Sequence, residues 1–107
     1  QAICRFFGAK LINLDQVHHG VQRNTNVLNE DILFQGIPAA FPSGRYHSWL
    51  VDNEGLPSCL KVIASDEGMI MAVAHTFYNV KGLQFHPESV MTPHGKQIIK
   101  NWLISVH

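Results

Sequence analysis

This sequence predicts an α/β fold with an antiparallel β region and a closing helix, and three observations carry that prediction. Short β-type runs separated by turn residues follow one another over residues 45–51, 60–65, 69–76 and 80–85. Two of the gaps, Asp66-Glu67-Gly68 and Tyr78-Asn79, suit tight hairpins, so the last three runs read as an antiparallel meander. Over residues 94–106, Ile98, Ile99, Trp102, Leu103 and Val106 recur at i, i+3, i+4 spacing, which is one apolar face of a helix.

The earlier part of the chain reads less regularly. Residues 1–7 look like the end of a helix, with Ile3, Phe6 and Phe7 at helical spacing and Gly8 placed as the left-handed cap that stops it. Residues 10–14 form a short apolar run suited to a strand. Residues 15–30 are polar and aperiodic, and read as a loop or a pair of weak edge strands. Gly36 and Pro38, then Phe41-Pro42-Ser43-Gly44, punctuate the chain before Arg45. Met69 and Met71, alternating with Ile70, read as core. Pro93 sits where it starts a helix well. With no repeat, low-complexity tract or linker, residues 1–107 are expected to belong to a single domain.

Composition excludes several functions. Eight acidic and eight basic residues balance, which argues against an electrostatic nucleic-acid binder. The longest apolar stretches, residues 69–74 and 60–64, are far shorter than the roughly 18 residues of a membrane span. Cys4 and Cys59 make neither a disulfide framework nor a zinc site, and are read as reduced thiols in a cytoplasmic protein. His18, His19, His75, His94 and His107 lack convergent ligand spacing, so no metal is expected. A zinc-deaminase reading of His-x-Glu fails because its P-C-x-x-C partner is absent. At 15% charged residues, against about 25% on average, part of the surface is expected to lie against something else. The chain starts at Gln1, so either its start has been processed or it is a piece of something longer.

Gln84-Phe85-His86-Pro87-Glu88-Ser89 follows an apolar strand candidate and precedes the helix, where ligand-facing residues sit in open α/β sheets. If the backbone stays extended through Pro87, His86 and Glu88 project to one side, and the carboxylate can fix the orientation and tautomer of the imidazole. That pair is the base and orienter of a nucleophilic triad without its nucleophile. By spacing alone the plainer reading is a histidine ending a strand and a glutamate opening a turn.

The motif as a whole is more specific. Q-F-H-P-E-S resembles the histidine and glutamate segment of class I glutamine amidotransferases. Arg45-Tyr46-His47-Ser48-Trp49 is similar to the R-Y-H-S-L segment of one branch, the small subunits of anthranilate synthase and 4-amino-4-deoxychorismate (para-aminobenzoate) synthase. Gln1-Ala2-Ile3 with Phe7-Gly8-Ala9-Lys10-Leu11, then His19-Gly20 and residues 31–38, agree further.

The resemblance implies the later, C-terminal portion of a flavodoxin-like amidotransferase domain, comprising the last strands of a central parallel sheet, the antiparallel extension and the closing helix. It implies that His86 takes a cysteine proton and later protonates departing ammonia, with Glu88 holding the ring. Gln1 matches a family glutamine that contacts substrate, and Ser48 and Trp49 match a dipeptide whose backbone holds the amino-acid end. The family nucleophile in G-x-C-x-G-H-Q would precede residue 1. Cys4, on the helix among phenylalanines, is read as a buried side chain, and the 107 residues alone are expected to be inactive.

The implied substrate is glutamine, the implied partner a chorismate-binding large subunit, and no cofactor is implied. A non-catalytic module that docks on that subunit is the alternative from a different class. Other branches, serving GMP or carbamoyl phosphate synthesis, are disfavoured by Tyr46-His47-Ser48. A sheet lacking its early strands exposes edges and apolar surface, so a free chain is expected to self-associate.

Overall fold

The computed structural model describes residues 4, 6–9, 11–13, 21–45, 49–51 and 56–105. Among them are seven strands: β1 (Leu11–Asn13), β2 (Val21–Val27), β3 (Ala40–Arg45), β4 (Trp49–Val51), β5 (Leu60–Asp66), β6 (Met69–His75) and β7 (Lys81–Leu83). A 3-10 helix (Ile32–Phe34) and helix α1 (Gly95–Ser105) complete the described elements. Five strands form one sheet in the order β3-β2-β5-β6-β7, and β1 pairs with β4 in a separate ribbon. Every pairing among the described residues is antiparallel.

The expected meander is present as β5-β6-β7. Glu67 and Gly68 join β5 to β6 with φ of 47° and 81°, two left-handed residues as a type I′ hairpin requires. Arg23 on β2 braces that turn, its Nε donating to Asp66 Oδ2 at 2.7 Å and its Nη2 to Glu67 Oε2 at 3.1 Å. At the β6–β7 connection, His75 Nδ1 accepts the N–H groups of Phe77 and Tyr78, both at 3.1 Å. Near the start of the chain, the Ala9 N–H donates to the Cys4 carbonyl at 2.9 Å past a left-handed Gly8, the Schellman closure expected there.

Two readings of the chain are corrected. Residues 21–27 are neither a loop nor an edge but an interior strand, β2, flanked by β3 and β5. Its alternation is real but written in amphipathic and polar residues. Gln22, Asn24 and Asn26 are exposed while Thr25 is fully buried, its hydroxyl 2.7 Å from that of Ser43. Likewise Phe41-Pro42-Ser43-Gly44 does not interrupt the chain but runs through β3, and the run expected over residues 45–51 divides between β3 and β4. Proline is tolerated because β3 is an edge strand. Pro42 shares its parity with Gly44, whose N–H and C=O bond away from β2, so the missing donor would have pointed off the sheet.

A hydrophobic cluster lies on each face of the sheet, the second covering β5 and β6. On one, Phe41, Ile63, Met71 and Phe85 pack with Leu33, Phe34 and Ile98 from the two helices. On the other, Ile70 and Val73 pack with Cys4, Ala9, Val51 and Leu60. Strand β6 contributes to both clusters, and Ile70 to Ala74 are all buried, including Met71 as expected.

Helix α1 forms as expected, but its inward stripe is Gly95, Ile98, Asn101 and, in part, Trp102. Ile99 and Leu103, read from their spacing as part of one apolar face, are 39% and 52% exposed, and Val106 lies outside the described residues. Asn101 explains the rotation. Its Nδ2 donates to the carbonyls of Leu33 and Gln35 at 2.8 and 2.9 Å, and its Oδ1 accepts from Gln97 at 2.8 Å. Satisfying the carbonyls of the 3-10 segment turns α1 away from its most apolar side.

Replacing Asn101 by Leu leaves two carbonyls without this donor. Chemical denaturation of Asn101→Leu is expected to show a loss of about 1–3 kcal/mol, the usual penalty for orphaning buried polar groups.

Candidate active site

The chain enters the site from the core. Phe85 is buried, its ring centroid 5.5 Å from that of Phe41 on β3, and the Gln84 N–H still donates to the Met71 carbonyl at 2.8 Å. His86 then leaves β7 and bridges to the opposite edge of the sheet, its N–H donating to the Gly44 carbonyl at 3.1 Å. The backbone does not stay extended through Pro87. The Ser89 N–H donates to the His86 carbonyl at 3.2 Å, closing a four-residue turn. Pro87 occupies the second position of that turn, where its fixed φ is already suitable.

Across this turn His86 and Glu88 meet, with Nδ1 and Oε1 2.7 Å apart. Both side chains are accessible, at 45% and 65% exposure. Glu88's own backbone N–H, and then the His86 ring, hold its carboxyl below the usual glutamate range. An ionised carboxylate only accepts hydrogen bonds, so the neutral imidazole carries its proton on Nδ1 and its basic lone pair on Nε2. This arrangement can take up and return a proton at Nε2.

Three residues that sequence reasoning did not single out shape the turn. Thr92, buried, accepts the Gly44 N–H at 2.8 Å and donates to the His86 carbonyl at 2.7 Å. Gly44 lets the following loop lie against β3, since a Cβ there would stand 3.0 Å from Ser89 Oγ and 3.1 Å from Met91 Cβ. A Cβ on Gly95, at the start of α1, would overlap the Pro87 carbonyl. In the sequence Thr92 and Gly95 follow the motif within a few residues and Gly44 stands only as punctuation before Arg45, a pattern too common to stand out.

Of the other predicted site residues, Gln1 and Ser48 lie outside the described residues. The backbone of Trp49 is in β4, paired with Asn13, and its side chain also lies outside the described set. Cys4 is 2% exposed, and burial pushes its thiol up, the opposite of what an activated nucleophile needs.

Comparisons with known proteins establish the family of the chain and the fold it shares. The family model for glutamine amidotransferase class-I matches residues 1–106, and the chain belongs to that family. It is 43% identical over 104 residues to a Haemophilus influenzae protein provisionally named anthranilate synthase component II, covering 96% of this chain and 54% of that protein. It is 38% identical over 106 residues to the aminodeoxychorismate/anthranilate synthase component 2 of Bacillus subtilis, covering 96% and 53%. The chain thus spans about half the length of these relatives. A solved structure from Thermoplasma acidophilum, provisionally described as a GMP synthase subunit, superposes with a TM-score of 0.85 at 24% identity over 94% of this chain and 50% of that one. At that identity the likeness establishes the fold.

Glu88 is expected to titrate, by carboxyl-carbon NMR, below the ordinary glutamate value. Its contact with His86 therefore holds at neutral pH and is lost only as pH falls through that lowered midpoint. Replacing His86 by Phe is expected to raise the midpoint only part of the way, because the larger cause, Glu88's own N–H, remains.

Proposed function

We propose that these residues are the acid–base portion of a single glutaminase domain, in a cytoplasmic amidotransferase subunit that supplies ammonia to a chorismate-using synthase. The product of that synthase would be anthranilate or 4-amino-4-deoxychorismate. The observation that carries the reading is the 2.7 Å contact of His86 with Glu88 within Gln84-Phe85-His86-Pro87-Glu88-Ser89. The names of the relatives, components of anthranilate and aminodeoxychorismate synthases, support the synthase partner.

The chemistry follows from the ring geometry. His86 Nε2 takes the proton of a cysteine thiol supplied upstream of Gln1, and the thiolate attacks the carboxamide carbon of glutamine. The imidazolium, stabilised by Glu88, returns that proton to the departing nitrogen, releasing ammonia and leaving a glutamyl thioester. His86 then draws a proton from water as it attacks the thioester, and the thiolate departs with that proton restored to it. The net change is glutamine and water to glutamate and ammonia. In this reading Gln1 contacts the substrate, and the main chain of Ser48 and Trp49 holds its amino-acid end. Transfer of ammonia within the complex keeps its lone pair unprotonated.

In a chain extended upstream through a G-x-C-x-G-H segment, His86→Ala is expected to slow glutamine hydrolysis at least about a hundredfold, the usual cost of removing a general base. An unchanged rate, measured as glutamate release, would contradict the assignment.

A further inference from the structure

We propose that Thr92 is a positioning residue for His86, its hydroxyl setting where the imidazole stands relative to the edge of the sheet. This rests on the reading of His86 as the proton carrier. The Thr92 side chain lies in a closed loop of hydrogen bonds. Gly44 N–H donates to Thr92 Oγ1 at 2.8 Å, Thr92 Oγ1 donates to the His86 carbonyl at 2.7 Å, and His86 N–H donates back to the Gly44 carbonyl at 3.1 Å.

Donor and acceptor roles within this loop have one solution. A backbone N–H can only donate and a carbonyl can only accept, so the single hydroxyl proton of Thr92 is committed to His86. The residue is 3% exposed, so water is a poor substitute for it. Two further contacts confine the turn to this geometry. Gly95 lies close beneath the Pro87 carbonyl, and Gln22 Nε2 donates to the Met91 carbonyl at 2.8 Å.

Valine fills the volume of threonine without the hydroxyl. In Thr92→Val the Gly44 N–H loses this acceptor and the His86 carbonyl this donor, so of the three bonds in the loop the one from the His86 N–H to the Gly44 carbonyl remains. His86 keeps its chemistry but shifts relative to a reacting thiol, and displacements of about 1 Å can cost a hundredfold in rate. Serine keeps the hydroxyl and restores the bridge.

The test compares Thr92→Val, Thr92→Ser and His86→Ala in the full-length natural protein with its synthase partner, reading kcat and KM for glutamine hydrolysis. Thr92→Val is expected to lower kcat about ten- to a hundredfold with KM within about twofold, and Thr92→Ser to recover most of kcat. Should the valine variant not fold, Thr92→Ala gives the same comparison. Full activity without the hydroxyl while His86→Ala is inactive would overturn the role of Thr92 alone. Equal losses in the serine and valine variants would overturn the role of the hydroxyl. Full activity in His86→Ala would overturn both the positioning and the reading on which it rests.

Discussion

An edge strand carries backbone donors and acceptors that the sheet itself cannot satisfy, and the candidate site grows out of that constraint at Gly44. The N–H and C=O of Gly44 point away from β2, and both are taken by the turn that carries His86. The sheet gains a cover for part of its open edge, and the histidine gains a fixed anchor. Glycine suits this point because the loop over residues 89–91 lies close, and a Cβ would press on Ser89 and Met91 at 3.0–3.1 Å. One contact therefore serves stability and places chemistry at an accessible surface.

From this anchor the remaining supports follow. Phe85 holds the preceding residue in the core against Phe41, itself on β3, so the same edge strand grips the chain on both sides of the peptide between Phe85 and His86. On the far side, α1 begins directly beneath Pro87, and Asn101 ties that helix to the 3-10 segment. Asp31 secures the segment in turn, accepting the Leu33 N–H at 3.0 Å and the Lys81 ammonium at 2.7 Å. His86 and Glu88 thus stand on a braced turn with both side chains partly exposed, an arrangement suited to the proposed proton transfer.

Much of this was legible in the sequence wherever a residue type had one physical use. Asp66-Glu67-Gly68 between two apolar runs marks a tight hairpin, and the meander followed from it. Gly8 at the end of a helical run marked the left-handed cap. The His-Pro-Glu spacing and its flanks pointed to the pair that the structure brings within 2.7 Å, although a proline turn rather than an extended strand brings them together. Legibility failed where polar residues do apolar work. Strand β2 buries Thr25 against Ser43, so its alternation is invisible to a hydrophobic pattern. Strand β3 holds a proline that an edge position tolerates and a glycine that gives the approaching loop room. In α1 the buried position is Asn101, whose long-range hydrogen bonds outweigh the larger apolar surface of Ile99 and Leu103. Thr92 was unreadable for the same reason, because its partners are backbone atoms 48 and 6 residues away.

Glu88, an ionised acceptor at Nδ1, holds His86 in the tautomer whose lone pair is on Nε2. Imidazole nitrogen NMR at mildly alkaline pH, with His86 assigned by its loss in His86→Phe, tests that claim most directly. The expected result is that the neutral form of the ring carries its proton on Nδ1 and a lone-pair resonance at Nε2, with Glu88→Gln weakening that preference. A ring protonated at Nε2 would contradict it, because the nitrogen available to take a thiol proton would then be turned into Glu88.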